Sequence, residues 1–209
     1  CIYPKFSKTP IDEDSLLKGP LEKTNQCYAI AKISGIKLCE TLYEDHNLDI
    51  VCLMPTNVYG KKDNFDKTNG HVIPAVIAKV ESVIKKNKKK LELLGTGKPL
   101  REFIHSEDLA SAILFTLSLN KKKLKDIFKS NLPMINVGTS DEISIKNLAK
   151  LIIKFYGFKG KIVFDHKSPD GTFRKNLNKR ILTKLGWTPK IKLKHGLKEV
   201  IESRKKLLK

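Results

Sequence analysis

Tyr28 and Lys32 lie four residues apart in a stretch whose apolar residues recur at helical spacing. In a helix, this spacing projects both side chains from one face, about one turn apart. A phenol is a poor acid at neutral pH because its unperturbed pKa is near ~10, and a neighbouring ammonium group lowers that value. A phenol activated in this way can protonate the oxygen of a ketone as hydride reaches the carbon. The pair therefore indicates carbonyl reduction.

The elements around the pair are more informative than its spacing, because five tyrosines and a Lys at about one position in six make one such pair expected by chance. Helical periodicity runs over 25–46, and the apolar stretch 49–54 predicts a buried parallel strand. The Pro, Asn, Gly and Asp residues of 55–65 predict a functional loop. Similar patterns predict these further elements: helix 73–86, strand 91–94, strand 101–105, helix 106–118, a Lys-rich loop, strand 135–138, helix 144–156, strand 162–165, helix 179–185 and helix 193–207. This alternation indicates an α/β fold with mainly parallel strands.

The Tyr28–Lys32 helix, the strand after it and the run 55–60 resemble the second half of an extended short-chain dehydrogenase/reductase. The stretches that narrow the resemblance to one branch, the GDP-L-fucose synthases, are 1–5, 28–40, 54–60, 63–65, 71–75, 169–172 and 174–175. They span nearly the whole chain in a single order. The resemblance implies a two-step conversion of GDP-4-keto-6-deoxy-D-mannose to GDP-L-fucose, by 3,5-epimerisation and NADPH-dependent 4-reduction.

The resemblance also implies roles for individual residues. Tyr28 matches the proton donor of the reduction, and Lys32 matches the residue that contacts the nicotinamide ribose. Cys1 and His71 match the acid/base pair that inverts the two carbons beside the keto group. A thiolate can remove a proton acidified by the carbonyl, and an imidazolium can return one from the opposite face. Without the resemblance, a lone Cys or His is more often a packing or surface residue.

Further positions match the binding sites of this branch. Those expected along the nicotinamide end of the NADP(H) cofactor are Lys32, Pro55, Thr56, Asn57, Val58 and His71. Those expected to hold the GDP part of the substrate are Lys79, Leu94, Arg101, Asp170 and Lys175. Leu94 stands where a Trp is common. Lys79 stands where an Arg is common, and a Lys offers a point charge in place of the bidentate contact of an Arg. In a chain this basic, Lys79 and Lys175 would be interpreted as solvated surface charge without the resemblance.

One part of the dinucleotide fold does not occur in this sequence. No Gly-x-x-Gly-x-x-Gly turn follows a strand. By the resemblance, about a hundred residues and a catalytic Ser are expected before Cys1. The residues around Cys1 themselves predict a strand. We therefore expect a carboxy-terminal fragment with an incomplete Rossmann-like, doubly wound parallel sheet and a smaller α/β substrate-binding domain. Residues 1–60 would belong to the Rossmann domain and 61–209 mainly to the substrate domain, with part of 101–140 returning to the first.

The net charge of +19 raises the question of a nucleic-acid partner. Almost all of the positive charge is Lys, whereas base and phosphate recognition favours Arg, so neither a nucleic acid nor a membrane is expected. The four cysteines show no metal-ligand or disulfide pattern, which predicts reduced thiols in a cytoplasmic protein. A homodimer through helices that include the Tyr28 helix is implied by the resemblance.

Two alternatives remain at this point. The chain could be an inactive fragment that retains at most weak GDP-sugar binding. It could also belong to a related nucleotide-sugar 4-epimerase or 4,6-dehydratase, which would share Tyr28 and Lys32 but not Cys1 and His71.

Overall fold

A computed structural model describes residues 1–66, 70–128, 131–168 and 170–207. The helices in these ranges are α1 (Gln26–His46), α2 (Val72–Lys85), α3 (Ser106–Leu117), α4 (Lys121–Phe128), α5 (Ile145–Tyr156), α6 (Arg180–Leu185) and α7 (Leu193–Leu207). The strands are β1 (Cys52–Pro55), β2 (Asn57–Tyr59), β3 (Lys90–Leu94), β4 (Leu100–His105), β5 (Met134–Val137), β6 (Glu142–Ser144), β7 (Lys161–Asp165) and β8 (Arg174–Lys175).

The chain divides into two compact units, each of which is discontinuous in sequence. Unit 1 comprises Cys1–Thr56, Asp108–Ser140 and Lys175–Pro189. Unit 2 comprises Asn57–Glu107, Asp141–Arg174 and Lys190–Lys209.

Unit 1 contains α1 and the parallel pair of β1 and β5, in which Leu53 lies opposite Ile135. The helix α1 ends where Asn47 adopts the left-handed conformation, with φ of 49°, which Asn tolerates better than most residues. Only Ala29 and Ile33 of this helix are buried, so most of its surface, including the face that carries Tyr28, is accessible.

Unit 2 contains the parallel pairs of β2 with β4 and β3 with β7, and an antiparallel pair of β4 with β6. The helices α2, α5 and α7 bury their apolar faces in one core with these strands; its fully buried members include Ile77, Leu91, Leu148, Ile152 and Leu197. Ser144 begins α5 by accepting a hydrogen bond from the Asn147 backbone at 3.2 Å, the usual satisfaction of a free amide at a helix start.

The predicted α/β class with mainly parallel pairing is confirmed by these strand pairs. Each helix and strand predicted from periodicity is present, within a few residues of its expected bounds. Among the helices that the structure describes, none combines the length and the apolar composition that a membrane span requires.

Three local predictions are wrong. The loop 55–65 contains β2, because Val58 and Tyr59 pair with β4 and Tyr59 is buried. The Lys-rich loop contains α4, because Asn120 Oδ1 accepts a hydrogen bond from the Lys122 backbone at 2.8 Å and Leu124 is buried. Lys is also a good helix former. Cys1 lies in no strand.

The segment that follows Cys1 forms one isolated parallel bridge, between Ile11 and Leu177, and is further held by side-chain hydrogen bonds. Tyr3 Oη donates a hydrogen bond to Asn136 Oδ1 at 2.6 Å, and Asn136 Nδ2 donates one to the carbonyl of Ile11 at 2.9 Å. The backbone N–H of Asn136 donates to Glu13 Oε1 at 2.8 Å. Burial, with the nearby Glu13 carboxylate, raises the pKa of Tyr3 well above its ordinary value, so the phenol remains a donor. Asn136 on β5 is therefore the residue that fixes the start of unit 1.

We expect Asn136→Leu to lower the free energy of unfolding by about 1–3 kcal/mol, because it leaves the buried Tyr3 phenol without a partner, whereas the Ile11 carbonyl keeps the hydrogen bond that it accepts from the Asn178 N–H. The measurement is urea unfolding followed by circular dichroism. Asn131→Leu, at an exposed asparagine, is the control and should change stability by less than about 0.5 kcal/mol. Equal stabilities of the two variants would contradict the role of Asn136.

Candidate active site

Helix α1 presents the candidate proton donor in unit 1. The Tyr28 side chain is 58% exposed, and the Lys32 ammonium lies 5.5 Å from the centre of the Tyr28 ring. The two residues therefore share one face of α1, as their spacing predicts. The hydroxyl group of Tyr28 is accessible to a ligand that approaches this face.

Two further candidate residues meet in unit 1. Cys1 and Lys175 lie close enough to interact. The Cys1 residue is exposed. The structure thus brings a predicted acid/base residue close to a predicted substrate residue, although 174 positions separate them in the sequence.

The predicted nicotinamide-binding stretch is located at strand ends. Pro55 is the last residue of β1, and the Thr56 N–H donates a hydrogen bond to the carbonyl of Val137, the last residue of β5, at 3.0 Å. In unit 2, Val58 lies in the short strand β2, and Asn57 Nδ2 donates to the carbonyl of Glu102 at 2.8 Å. The Asn57 amide is therefore engaged with the backbone.

His71 is located directly before the first turn of α2, as its N-cap residue. Its side chain is 82% exposed, and its Nδ1 lies 3.9 Å from Asp63 Oδ1. The imidazole is thus accessible, and it has a carboxylate within reach when it is protonated.

Arg101 and Asp170 come together in unit 2, although 69 positions separate them. Burial lowers the pKa of the Arg101 guanidinium, and the nearby Asp170 carboxylate opposes that shift. Asp170 accepts hydrogen bonds of 2.6 Å from both the backbone N–H and the hydroxyl of Thr96. A side chain at Gly95, whose φ is 78°, would overlap the Asp170 carboxylate. This close approach fixes the turn between β3 and β4 against Asp170.

The hydrogen bonds from Thr96 lower the pKa of Asp170 below its ordinary value of 3.8. A lowered carboxyl pKa stabilises the folded state above the unfolded pKa, and this contribution is lost as the pH falls through the folded value. We expect Asp170→Asn to lower the thermal midpoint at pH 7, and the deficit to shrink below about pH 4. Thermal melts between pH 3 and 7 measure it. Thr96→Val should lower the thermal midpoint by less. If the midpoint of Asp170→Asn is lowered by the same amount at every pH, the Thr96 hydrogen bonds do not act through the ionised Asp170 carboxylate.

Lys79 and Leu94 line a cleft of about 630 Å³ along α2 and β3. This volume lies in the range typical of small-molecule sites. The wall is basic, since its charged members are Lys79, Lys86, Lys88, Lys89, Lys90, Glu92 and Asp165. Within the described ranges, no ion pair forms at any of the five ammonium groups. Leu94 is 64% exposed, so the cleft offers an aliphatic contact and positive charge, which suits a diphosphate.

Sequence reasoning did not identify Tyr3, Asn136 or Thr96, which hold candidate residues in place. A signal for Asn136 was present, because it is the one polar residue in an otherwise apolar strand stretch. Pro169, part of the stretch 169–172 quoted for the resemblance, lies outside the described residues. In the described ranges, no group of three His, Cys, Asp or Glu side chains is placed to bind a metal ion.

Comparisons with known proteins identify the family to which the chain belongs. Residues 1–138 match the NAD dependent epimerase/dehydratase family. The chain is 47% identical over 199 residues to the probable GDP-L-fucose synthase 1 of Oryza sativa subsp. japonica, which covers 95% of this chain and 58% of the rice protein.

Two solved structures are similar to the chain over nearly all of its length. A GDP-6-OMe-4-keto-L-xylo-heptose reductase from C. jejuni matches with a TM-score of 0.89 and 31% identity, covering 99% of this chain and 68% of that one. A GDP-L-fucose synthetase from Naegleria fowleri bound to NADP matches with a TM-score of 0.83 and 26% identity, covering 100% and 64%.

The chain spans about three fifths of the length of the curated relatives that it matches. The resemblance to the GDP-L-fucose synthase branch inferred from the sequence is confirmed by relatives that are 43–47% identical over nearly all of the chain. The chain belongs to the NAD-dependent epimerase/dehydratase family.

Proposed function

We propose that this chain forms part of an enzyme that converts GDP-4-keto-6-deoxy-D-mannose to GDP-L-fucose. Inversion at carbons 3 and 5 would be followed by NADPH-dependent reduction at carbon 4. The observation that carries the proposal is the accessible Tyr28–Lys32 pair on α1, in a chain 47% identical to a probable GDP-L-fucose synthase. The reaction needs a proton donor for the carbonyl, an acid/base pair for the inversions and a site for the anionic nucleotide.

Tyr28 supplies the proton in the reduction. The keto oxygen becomes an alkoxide as its carbon is reduced, and the Tyr28 hydroxyl can transfer its proton to that oxygen from the exposed face of α1. The phenolate left behind is stabilised by the positive charge of Lys32, 5.5 Å from the ring. NADPH, when bound, supplies the hydride.

The residues present fit the nicotinamide end of that cofactor. Pro55 and Thr56 lie at the carboxyl ends of the parallel strands β1 and β5, which is the edge where dinucleotides bind in parallel sheets. Lys32 carries an exposed ammonium for the ribose hydroxyls. The glycine turn that binds the pyrophosphate does not occur in this sequence. The choice of NADP(H) rests on the relative that is bound to NADP.

Cys1 and His71 invert carbons 3 and 5. Both carbons adjoin the carbon-4 ketone, so each C–H bond can break with its electrons delocalised into an enolate. One group of the pair removes the proton, and the other returns a proton to the opposite face as the ketone re-forms. Both residues are exposed, so each can exchange its proton with solvent between the two inversions.

The GDP part of the substrate is bound by cations. Lys79 on the cleft wall, the guanidinium of the half-buried Arg101 and the ammonium of Lys175 contact the diphosphate in this proposal. Asp170 lies near Arg101, and the two hydrogen bonds from Thr96 hold Asp170 in place. A guanidinium beside a fixed carboxylate still has donors that can bind a phosphate oxygen.

A homodimer through α1 and a cytoplasmic location also belong to this proposal. Ile30 and Leu38 on α1 are exposed apolar residues that a second copy could cover. All four cysteines are free thiols, as expected in a reducing compartment.

A second candidate function is GDP-sugar binding without catalysis by the chain alone. It is favoured by the sequence itself, in which the glycine turn for the cofactor pyrophosphate does not occur.

A chimera that joins the amino-terminal part of the rice relative to this chain tests the proposed activity. With GDP-4-keto-6-deoxy-D-mannose and NADPH, we expect loss of absorbance at the reduced nicotinamide and formation of GDP-L-fucose, identified by NMR. The chain alone should bind GDP in calorimetry without oxidising NADPH. A folded chimera that produces neither signal excludes the activity, and a chain that does not bind GDP excludes the nucleotide site.

A further inference from the structure

Phe173 exposes an aromatic ring beside the proposed nucleotide-binding residues. Its side chain is 63% exposed. Every other Phe and Tyr that the structure describes in unit 2 is buried or half-buried. An exposed phenyl ring costs hydration free energy, and a ligand that covers it recovers that cost.

The backbone around Phe173 is anchored on both sides. The N–H of Leu100 donates a hydrogen bond to the Phe173 carbonyl at 2.9 Å, which holds Phe173 next to the residue that precedes Arg101. Three positions earlier, Asp170 is held by its two hydrogen bonds from Thr96. A Cβ atom at Gly171, between these anchors, would lie 4.0 Å from Arg101 Nη2. The segment that carries the ring is therefore fixed against Arg101.

The wall of the basic cleft provides no aromatic contact for a nucleobase. Its lining contains lysines, aliphatic residues, a Ser and two acidic residues, but no aromatic residue. Leu94, the exposed apolar residue of that wall, has no π-face on which a flat base could stack. Stacking on an aromatic side chain is a common way in which proteins bind a nucleobase.

We infer that Phe173 is a specificity-determining residue whose ring stacks on the guanine base of the substrate nucleotide. The inference rests on the proposed function, because it takes Arg101, held beside Asp170, as a residue that binds the diphosphate. It adds a contact that separates guanosine diphosphate from a bare diphosphate. The aromatic surface is supplied by the segment after Asp170 instead of by the strand end at Leu94.

Calorimetric titration of the full chain with GDP and with inorganic pyrophosphate tests this inference. We expect Phe173→Leu to weaken GDP binding about 10-fold, as expected for the loss of one base–aromatic stack, and to leave the Kd for pyrophosphate unchanged. Phe173→Tyr, which keeps the ring, should bind GDP within about twofold of the parent chain. Leu207→Ala, at a residue of α7 that is 73% exposed, is the matched control and should bind both ligands normally.

The other outcomes each overturn the inference in a distinguishable way. If the parent chain and Phe173→Leu bind GDP equally, Phe173 does not contact the base, and the proposed nucleotide site stands. If Phe173→Leu weakens the binding of pyrophosphate and of GDP alike, the residue has a structural role. GDP-mannose is titrated as a third ligand; if Phe173→Leu weakens its binding but not that of GDP, the ring contacts the sugar. If the parent chain binds neither GDP nor pyrophosphate, the proposed nucleotide site falls as well.

Discussion

Replacing Tyr28 by Phe in the chimera should lower the rate of carbon-4 reduction by about 10²–10⁴-fold, the usual contribution of a general acid. The substitution removes one hydroxyl group from a side chain that is largely exposed, so the fold and the stability of α1 should not change. Proton transfer at carbons 3 and 5 does not involve this hydroxyl in the proposed mechanism. The measurements are the rate of NADPH oxidation and, in D₂O, the rate of deuterium incorporation at carbons 3 and 5.

Two residues of the same helix provide matched controls. Tyr43→Phe removes a hydroxyl from α1 near its other end and should leave both rates unchanged. Lys32→Gln should slow reduction, because the phenolate loses a nearby positive charge, whereas Lys37→Gln changes a lysine that pairs with Glu40 at 2.5 Å and should not. Reduction by Tyr28→Phe within about threefold of the parent rate contradicts the assignment of Tyr28 as the proton donor.

The elements that could be predicted from the sequence are those whose signal is local. Periodicity over 25–46 specified α1 because a helical face repeats within the element itself. Ser144 and Gly157 mark the ends of α5 by local capping, the first through its hydroxyl and the second through a left-handed φ of 68°. The shared face of Tyr28 and Lys32 followed from the same geometry, because a separation of four residues is about one turn.

The missed elements depend on partners that are distant in the sequence. The strand β2 has three residues, and its pairing with Phe103–His105 decides its conformation more than its composition does. The Cys1 segment forms no ladder, because its buried bonds run to Asn136, on a strand more than a hundred positions later. No periodicity within either segment reports such a partner.

In the candidate site, too, local relations could be predicted from the sequence and distant ones could not. Spacing alone could associate Tyr28 with Lys32, but not Arg101 with Asp170, which meet because Thr96 fixes Asp170 beside the turn after β3. The assignment of those distant residues depended on resemblance to a family. The structure adds what resemblance did not supply, which is the set of neighbours that hold each residue.

Replacing Cys1 by Ser, or His71 by Gln, in the chimera should lower deuterium incorporation at carbons 3 and 5 by about 10²–10⁴-fold. A serine hydroxyl is a far weaker base than a thiolate, and an amide cannot return a proton as an imidazolium does. The measurement is mass spectrometry of the GDP-sugar after incubation in D₂O without NADPH, so that reduction does not remove the ketone.

Cys27 and His166 are exposed residues of the same two types, so Cys27→Ser and His166→Gln are the matched controls and should exchange at the parent rate. Because Tyr28 is intact in the Cys1 and His71 variants, they should still reduce carbon 4 when NADPH is added. The expected product is then a GDP-6-deoxyhexose with unchanged configuration at carbons 3 and 5. A related 4-epimerase or 4,6-dehydratase would retain its activity in both variants. Deuterium exchange at the parent rate in Cys1→Ser and His71→Gln would therefore exclude these two residues as the acid/base pair, and the loss of exchange in both would identify the pair that inverts the sugar.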